Sequence, residues 1–348
     1  MENPRILVIR RRYLGDVVLL GSFLANLRRH WPAASLSVLV EPAYAGVLAL
    51  NADVNAAPTL PWHWAQWPGF LRALRRARYT HVFNFDNTER TALLTRVTGA
   101  PFRLALHHGG YRVKLRGAYT HVVNDPNERH ESRPITEYYL CALAAAGVPI
   151  TTREVRLEPR AEDVADLRRL VGASGPVVLV HPGSRSPARI WPADRFAAVC
   201  DRIQEELSAQ VVLVGGPGDA ELVADIRRQA RTHLLTLPQA LSLGRFAALA
   251  RLARTLLCHD SGPMHVAAAV GTPVVALYGS QNSVLFRPAG EGHCLLQASL
   301  PCGAACVAPD QCVPNDSYRT FCVRRLTVEE VFVAVRTQLD RAAARSFS

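Results

Sequence analysis

Lysine is almost absent. Lys114 is the single lysine among 40 basic residues, and the other 39 are Arg. A high-GC coding bias, which writes Arg wherever Lys would serve, accounts for that skew. No long hydrophobic run is present either. The apolar stretch 266–279 falls short of the roughly 18 residues that span a bilayer. The first residues enter a strand-like run, Ile6-Leu7-Val8-Ile9, with no preceding apolar leader. The expectation is therefore a cytosolic chain without a secretory signal. No zinc finger, RNA-recognition signature or basic helix accompanies the positive charge, which argues against nucleic acid as a partner. The first strand is not followed by G-x-G-x-x-G, so a dinucleotide fingerprint is unsupported. An Asp-x-Asp metal motif is missing as well.

What is present is globular. The 348 residues are 49% hydrophobic and 20% charged, with 22 Gly and 23 Pro, a balance too apolar for disorder. That length suits two domains of roughly 150–180 residues. The net charge of +11 favours polyanionic partners: nucleotide phosphates, anionic lipid or a phosphorylated glycan.

Short β-branched runs alternate with helical patterns along the whole chain. In the first half, strands are predicted at 5–9, 36–40, 81–85, 103–106 and 120–123, and helices at 16–29, 68–76, 88–98 and 135–146. In the second, strands fall at 177–181, 210–214, 233–237, 255–258, 273–278 and 294–297. Helices there fall at 193–207, 220–230, 243–252, 263–270 and 328–339. Such alternation implies an α/β chain with parallel, doubly wound sheets. The expected division is a domain over 1–160 and another over 175–348, with a charged connecting helix at 162–170. Two such domains facing across a cleft would place ligands at the carboxyl ends of their strands.

Chemistry is therefore sought in the loops after strands. Arg12-Tyr13-Leu14-Gly15-Asp16 follows the first strand and opens a helix. Asp16 is either a helix-start carboxylate or a general base on the cleft side. The loop 181–192 carries Ser184, Arg185 and Arg189, a hydroxyl and two guanidinium groups suited to phosphate. An ordinary solvated loop is the plainer reading. Asp219 follows Gly215-Gly216-Pro217-Gly218, where a carboxylate could accept from ribose hydroxyls and where a simple turn also fits. The strongest segment is Asp260-Ser261-Gly262-Pro263-Met264-His265, running into Ala267-Ala268 and Gly271-Thr272-Pro273. A strand ends there and a small-residue helix begins, whose free N–H groups form an anion site. His265 is a phosphate donor, or else Asp260 is the helix N-cap and His265 a satisfied core histidine.

These residues closely resemble the signature of glycosyltransferase family 9, the ADP-heptose:lipopolysaccharide heptosyltransferases. His181-Pro182-Gly183 followed by Trp191-Pro192, and the 12–16 segment, are similar to that family too. The Arg-Tyr-Leu-Gly-Asp form looks most like its heptosyltransferase III-type branch. The resemblance implies a GT-B fold: two Rossmann-like domains, acceptor on the first and nucleotide-sugar donor on the second. It implies inverting, metal-independent transfer, with Asp16 at the position of the catalytic base. Ser184, Asp260, Ser261, Gly262 and His265 match donor-contacting positions, and Asp219 an acidic residue at the ribose. Arg189 stands where the family usually has Lys. Arg185 is grouped with the donor loop. Arg12, Arg90, Arg112 and Lys114 are candidates for an anionic acceptor, or are solvated surface. The implied partners are a nucleotide-sugar and a lipid A-core or other glycan, met at the cytosolic face of the inner membrane. A protein acceptor, another glycan pathway, or a catalytically silent nucleotide-sugar binder remain alternatives.

Cys302, Cys306, Cys312 and Cys322 crowd into 21 residues. Four thiolates at this spacing suit a structural Zn or Fe site; reduced thiols and disulfides are the alternatives. No cofactor is expected for catalysis.

Overall fold

The computed structural model describes residues 3–109, 111–172, 175–237, 240–279, 281–298 and 322–346. Two compact units make up the chain, Met1–Leu157 and Glu158–Ser348.

Strand β1 (Arg5–Ile9) is apolar on both faces, and Ile6 through Ile9 are fully buried. Only a sheet covered on both sides accommodates such a run. Four further strands join it: β2 (Ser35–Leu39), β3 (His81–Asn84), β4 (Phe102–His108) and β5 (His121–Asp125). All pairings are parallel, in the order β2-β1-β3-β4-β5. The chain therefore leaves β1 to one side and returns on the other. That reversal opens a crevice at the carboxyl ends of β1 and β3.

The second unit repeats the design. Its strands are β6 (Val177–His181), β7 (Gln210–Leu213), β8 (Leu235–Thr236), β9 (Thr255–His259), β10 (Val274–Tyr278) and β11 (Cys294–Gln297). Their order is β11-β10-β9-β6-β7-β8, again parallel throughout. Here the reversal falls between β6 and β9. Trp191, Phe196 and Phe332 are among the large side chains of the core beneath, and the helix Val328–Ser346 contributes Val331, Phe332 and Val335 to it.

Some boundaries move from their predicted places. The helix expected at 16–29 is two, Leu14–Leu19 and Gly21–His30. Gly21 sits at the break against Val155, where an added Cβ would stand 3.0 Å from a methyl carbon. The strand expected at 233–237 shrinks to β8, which pairs on one side only. The helix Ala161–Val171 falls in the second unit, where its Asp163 pairs with Arg245 at 3.6 Å. Cys302, Cys306 and Cys312 lie outside the described residues.

Candidate active site

Asp16 lies at the first unit's switch point, in the helix that follows β1. Its Oδ2 accepts from the Tyr13 backbone N–H at 3.1 Å. Its Oδ1 accepts twice, from Arg10 Nη2 at 2.5 Å and from the Tyr139 hydroxyl at 3.0 Å. Tyr139 comes from the helix Ile135–Ala144 and is fully buried. Arg10 continues the network: its Nη1 donates to the Phe85 carbonyl at 3.1 Å and to Asp86 Oδ1 at 3.2 Å. Asp86 Oδ2 in turn accepts from the Arg11 backbone and Nε, at 3.0 and 2.9 Å. Arg11 also pairs with Glu41 at 3.3 Å.

This arrangement sets the protonation of Asp16. Burial opposes its charge, but Arg10, the Tyr13 amide and the Tyr139 hydroxyl outweigh burial and hold the carboxyl below the usual range. The Arg10 cation is likewise secured, since Asp16 and its neighbours outweigh the cost of burial. Each carboxylate oxygen offers two in-plane acceptor sites. Oδ1 has both filled and Oδ2 has one filled, so Oδ2 is the oxygen with room for a further proton. Helix-start bonding and base chemistry are thus not exclusive, because they use different lone pairs.

Sequence reasoning missed Arg10, Asp86 and Tyr139. Arg10 and Asp86 follow β1 and β3 directly, so the sheet order would have flagged them.

The four acceptor candidates are exposed. Asn87 fixes two of them through their backbone: its Nδ2 donates to the Arg112 carbonyl at 3.0 Å and its Oδ1 accepts from the Lys114 N–H at 2.8 Å. Arg90 lies over the Trp67 ring at 4.6 Å, and Arg12 over Tyr13 at 5.1 Å.

In the second unit, His181 and His259 end β6 and β9 at the switch point, and both are buried. Burial pushes His259 down to about 3, so the ring is neutral at ordinary pH. Its Nε2 accepts from the Trp191 backbone N–H at 2.9 Å, and the Trp191 indole donates to the Leu326 carbonyl at 3.0 Å. The far end of the 181–192 loop is anchored this way. Burial also lowers His181, against the pull of Asp219.

Asp219 packs into two loops at once. Its Oδ2 accepts from the Gly216 N–H at 2.7 Å. A Cβ on Gly183 would lie 2.0 Å from the same oxygen, so a larger residue there would have to displace the Asp219 carboxylate. Along the same loop Ser184 and Arg189 are half-buried and Arg185 is exposed. Arg189 ends the 3-10 turn Pro187–Arg189, and its side chain reaches the loop after β10. Its Cγ lies 4.0 Å from where a Cβ on Gly279 would stand, and its Nη1 is 2.9 Å from the Gln281 side-chain oxygen once that amide is oriented to accept.

The helix Gly262–Ala269 starts just past β9 with Ser261, not Asp260, as its N-cap. Pro263 occupies the first turn, where the missing N–H costs nothing. His265 follows in that turn and is 6% exposed. The loops after β6, β9 and β10 thus supply hydroxyl, imidazole and guanidinium groups around one sheet end.

Among the described residues, no group of three or more His, Cys, Asp or Glu is placed to hold a metal ion. Cys322 is a half-buried free thiol.

Two parallel α/β units with polar residues at their switch points define a GT-B-like glycosyltransferase. The solved structure of a glycosyl transferase family 9 protein from Veillonella parvula covers 98% of this chain and 98% of its own, with TM-score 0.83 at 24% identity. ADP-heptose lps heptosyltransferase II of E. coli covers 97% of this chain and 99% of its own, with TM-score 0.79 at 23% identity. A profile of glycosyltransferase family 9 (heptosyltransferase) matches residues 68–313, and the chain belongs to that family. It is similar to lipopolysaccharide heptosyltransferase 3 of Escherichia coli K12, 27% identical over 291 residues, or 80% of this chain and 83% of the relative.

Proposed function

We propose that this enzyme is an inverting heptosyltransferase that moves heptose from ADP-heptose to the inner core of lipopolysaccharide. The observation that carries the reading is Asp16, a carboxylate held ionised at a switch point with one oxygen open to a proton. The relatives' names supply the sugar and the acceptor class.

The acceptor binds the first unit, and Arg12, Arg90, Arg112 and Lys114 meet its anionic groups. The donor binds the second unit. In a single in-line displacement the acceptor oxygen forms the new bond to the anomeric carbon as the bond to the diphosphate oxygen breaks. The acceptor's proton passes to Asp16. The electron pair of the broken bond leaves on the diphosphate, where negative charge grows. Without a catalytic metal, that charge meets fixed donors: the start of the helix Gly262–Ala269, His265 and Arg189, with Ser184, Arg185, Asp260 and Ser261 lining the site. Asp219 faces the ribose. The reaction takes place at the cytosolic face of the inner membrane, where the acceptor lipid is built. No helix among the described residues is long and apolar enough to cross a membrane.

The test is transfer from ADP-heptose to purified core oligosaccharide, read by mass spectrometry, for the parent and Asp16→Asn. The parent adds one heptose. The variant loses roughly 10²–10⁴-fold in turnover while binding ADP as the parent does. A variant retaining half its rate removes Asp16 from the role of base.

A further inference from the structure

Trp62 and Trp64 stand in water. They are 84% and 85% exposed, the highest values among the exposed large apolar residues of the described chain. The core has no use for them: the cluster beside β1 and β3 takes Trp67, Phe70, Leu71 and Tyr79 from the same segment. An indole joins a large apolar body to one N–H donor, which suits the boundary between lipid and water.

The neighbouring helix Trp67–Arg76 is divided by face. Leu74 is buried, while Pro68, Arg72 and Arg76 recur every four residues along the exposed side. Arg75 is turned elsewhere, with its guanidinium against Gly99. Residues 59–80 contain four Arg and neither Asp nor Glu. Aromatic anchors and a one-signed cationic face therefore follow each other directly in the chain.

We propose that Trp62, Trp64, Arg72 and Arg76 dock this enzyme on an anionic phospholipid bilayer. Charge complementarity selects this occupant, because exposed Arg72, Arg76 and Arg78, in a segment without an acid, suit a negative headgroup layer. A protein partner would want a flat apolar area around its anchors. Here the residues between and beside the two indoles are His63, Ala65 and Gln66, all exposed. The proposal rests on the reading that the enzyme works at a membrane face. Binding of ADP and transfer to a soluble core oligosaccharide report on the reaction separately.

The experiment is co-sedimentation and tryptophan fluorescence of the full chain. The vesicles are phosphatidylcholine, alone or mixed with phosphatidylglycerol. The parent sediments with the anionic vesicles, its emission shifts to the blue, and salt reverses both. Arg72→Gln and Arg76→Gln each weaken partitioning roughly fivefold. Trp62→Ser/Trp64→Ser weakens it at least as much and abolishes the blue shift, with ADP affinity unchanged. Equal binding to neutral and anionic vesicles overturns the proposal. So does a double Trp variant that partitions like the parent. A blue shift that grows with protein concentration in the absence of vesicles assigns the surface to a second copy of the chain instead.

Discussion

Asp16 owes its charge to Arg10, and the two can be separated experimentally. The parent carboxyl titrates below the ordinary aspartate value of about 3.9. The acid limb of its rate–pH profile should therefore fall below that pH, since activity is lost only when the base becomes protonated. Arg10→Gln removes the opposing charge and leaves burial in command. The limb then moves up by roughly one pH unit or more, and the rate at pH 5 falls more than the rate at pH 8. Arg10→Lys restores a charge and returns much of the shift. A limb that stays in place in Arg10→Gln would separate Arg10 from the base. A general loss of folding would instead lower the rate at all pH values together.

At the level of loops and helix starts, the proposed phosphate recognition is assigned to Arg189 and His265. His265→Ala and Arg189→Ala should each weaken ADP binding by roughly ten- to a hundredfold, as expected for charge-assisted bonds of about 1.5–3 kcal/mol. Arg189→Lys should weaken it less, since it restores the charge without the fork. Calorimetry with ADP decides. Parent-like affinity in Arg189→Ala would make this a loop residue held by Gln281. Much of this region was legible in the sequence. The Gly-Pro opening at 262–263 and the strand before it place the helix start by local rules alone. Arg10, Asp86, Tyr139 and His259 were not legible, because each is an unremarkable residue until the sheet order is known. That order depends on which strands pair across dozens of residues, which no local pattern encodes. The same holds for the break at Leu20, which reflects Val155 packing on Gly21 from far along the chain. The segment Asp260–His265 showed the converse: its type and place were clear, while the N-cap fell on Ser261.

For the molecule as a whole, the proposed transfer places fixed cationic groups where a divalent ion would otherwise stand. The chain carries +11, and its candidate donor site offers Arg185, Arg189, His265 and a helix start. On the proposal that fixed donors supply the charge stabilisation, excess EDTA should leave transfer within about twofold of the untreated rate. Complete loss, recovered by Mg²⁺ or Mn²⁺, would place a divalent ion in the reaction. The Cys-rich segment makes a second readout useful: metal content measured before and after chelation separates a structural ion from a catalytic one.

The contact between Gly183 and Asp219 has a consequence for how such a protein can diversify. The two positions lie 36 apart in the chain, yet the space for a Cβ at one is filled by the carboxylate of the other. Neither can be explored freely. An alanine at 183 must push the Asp219 carboxylate aside, and a small residue at 219 leaves the Gly216 amide without this acceptor. A single change at either position therefore disturbs the geometry at the other. A mutational library should therefore recover changes at 183 and 219 together more often than two independent positions would allow.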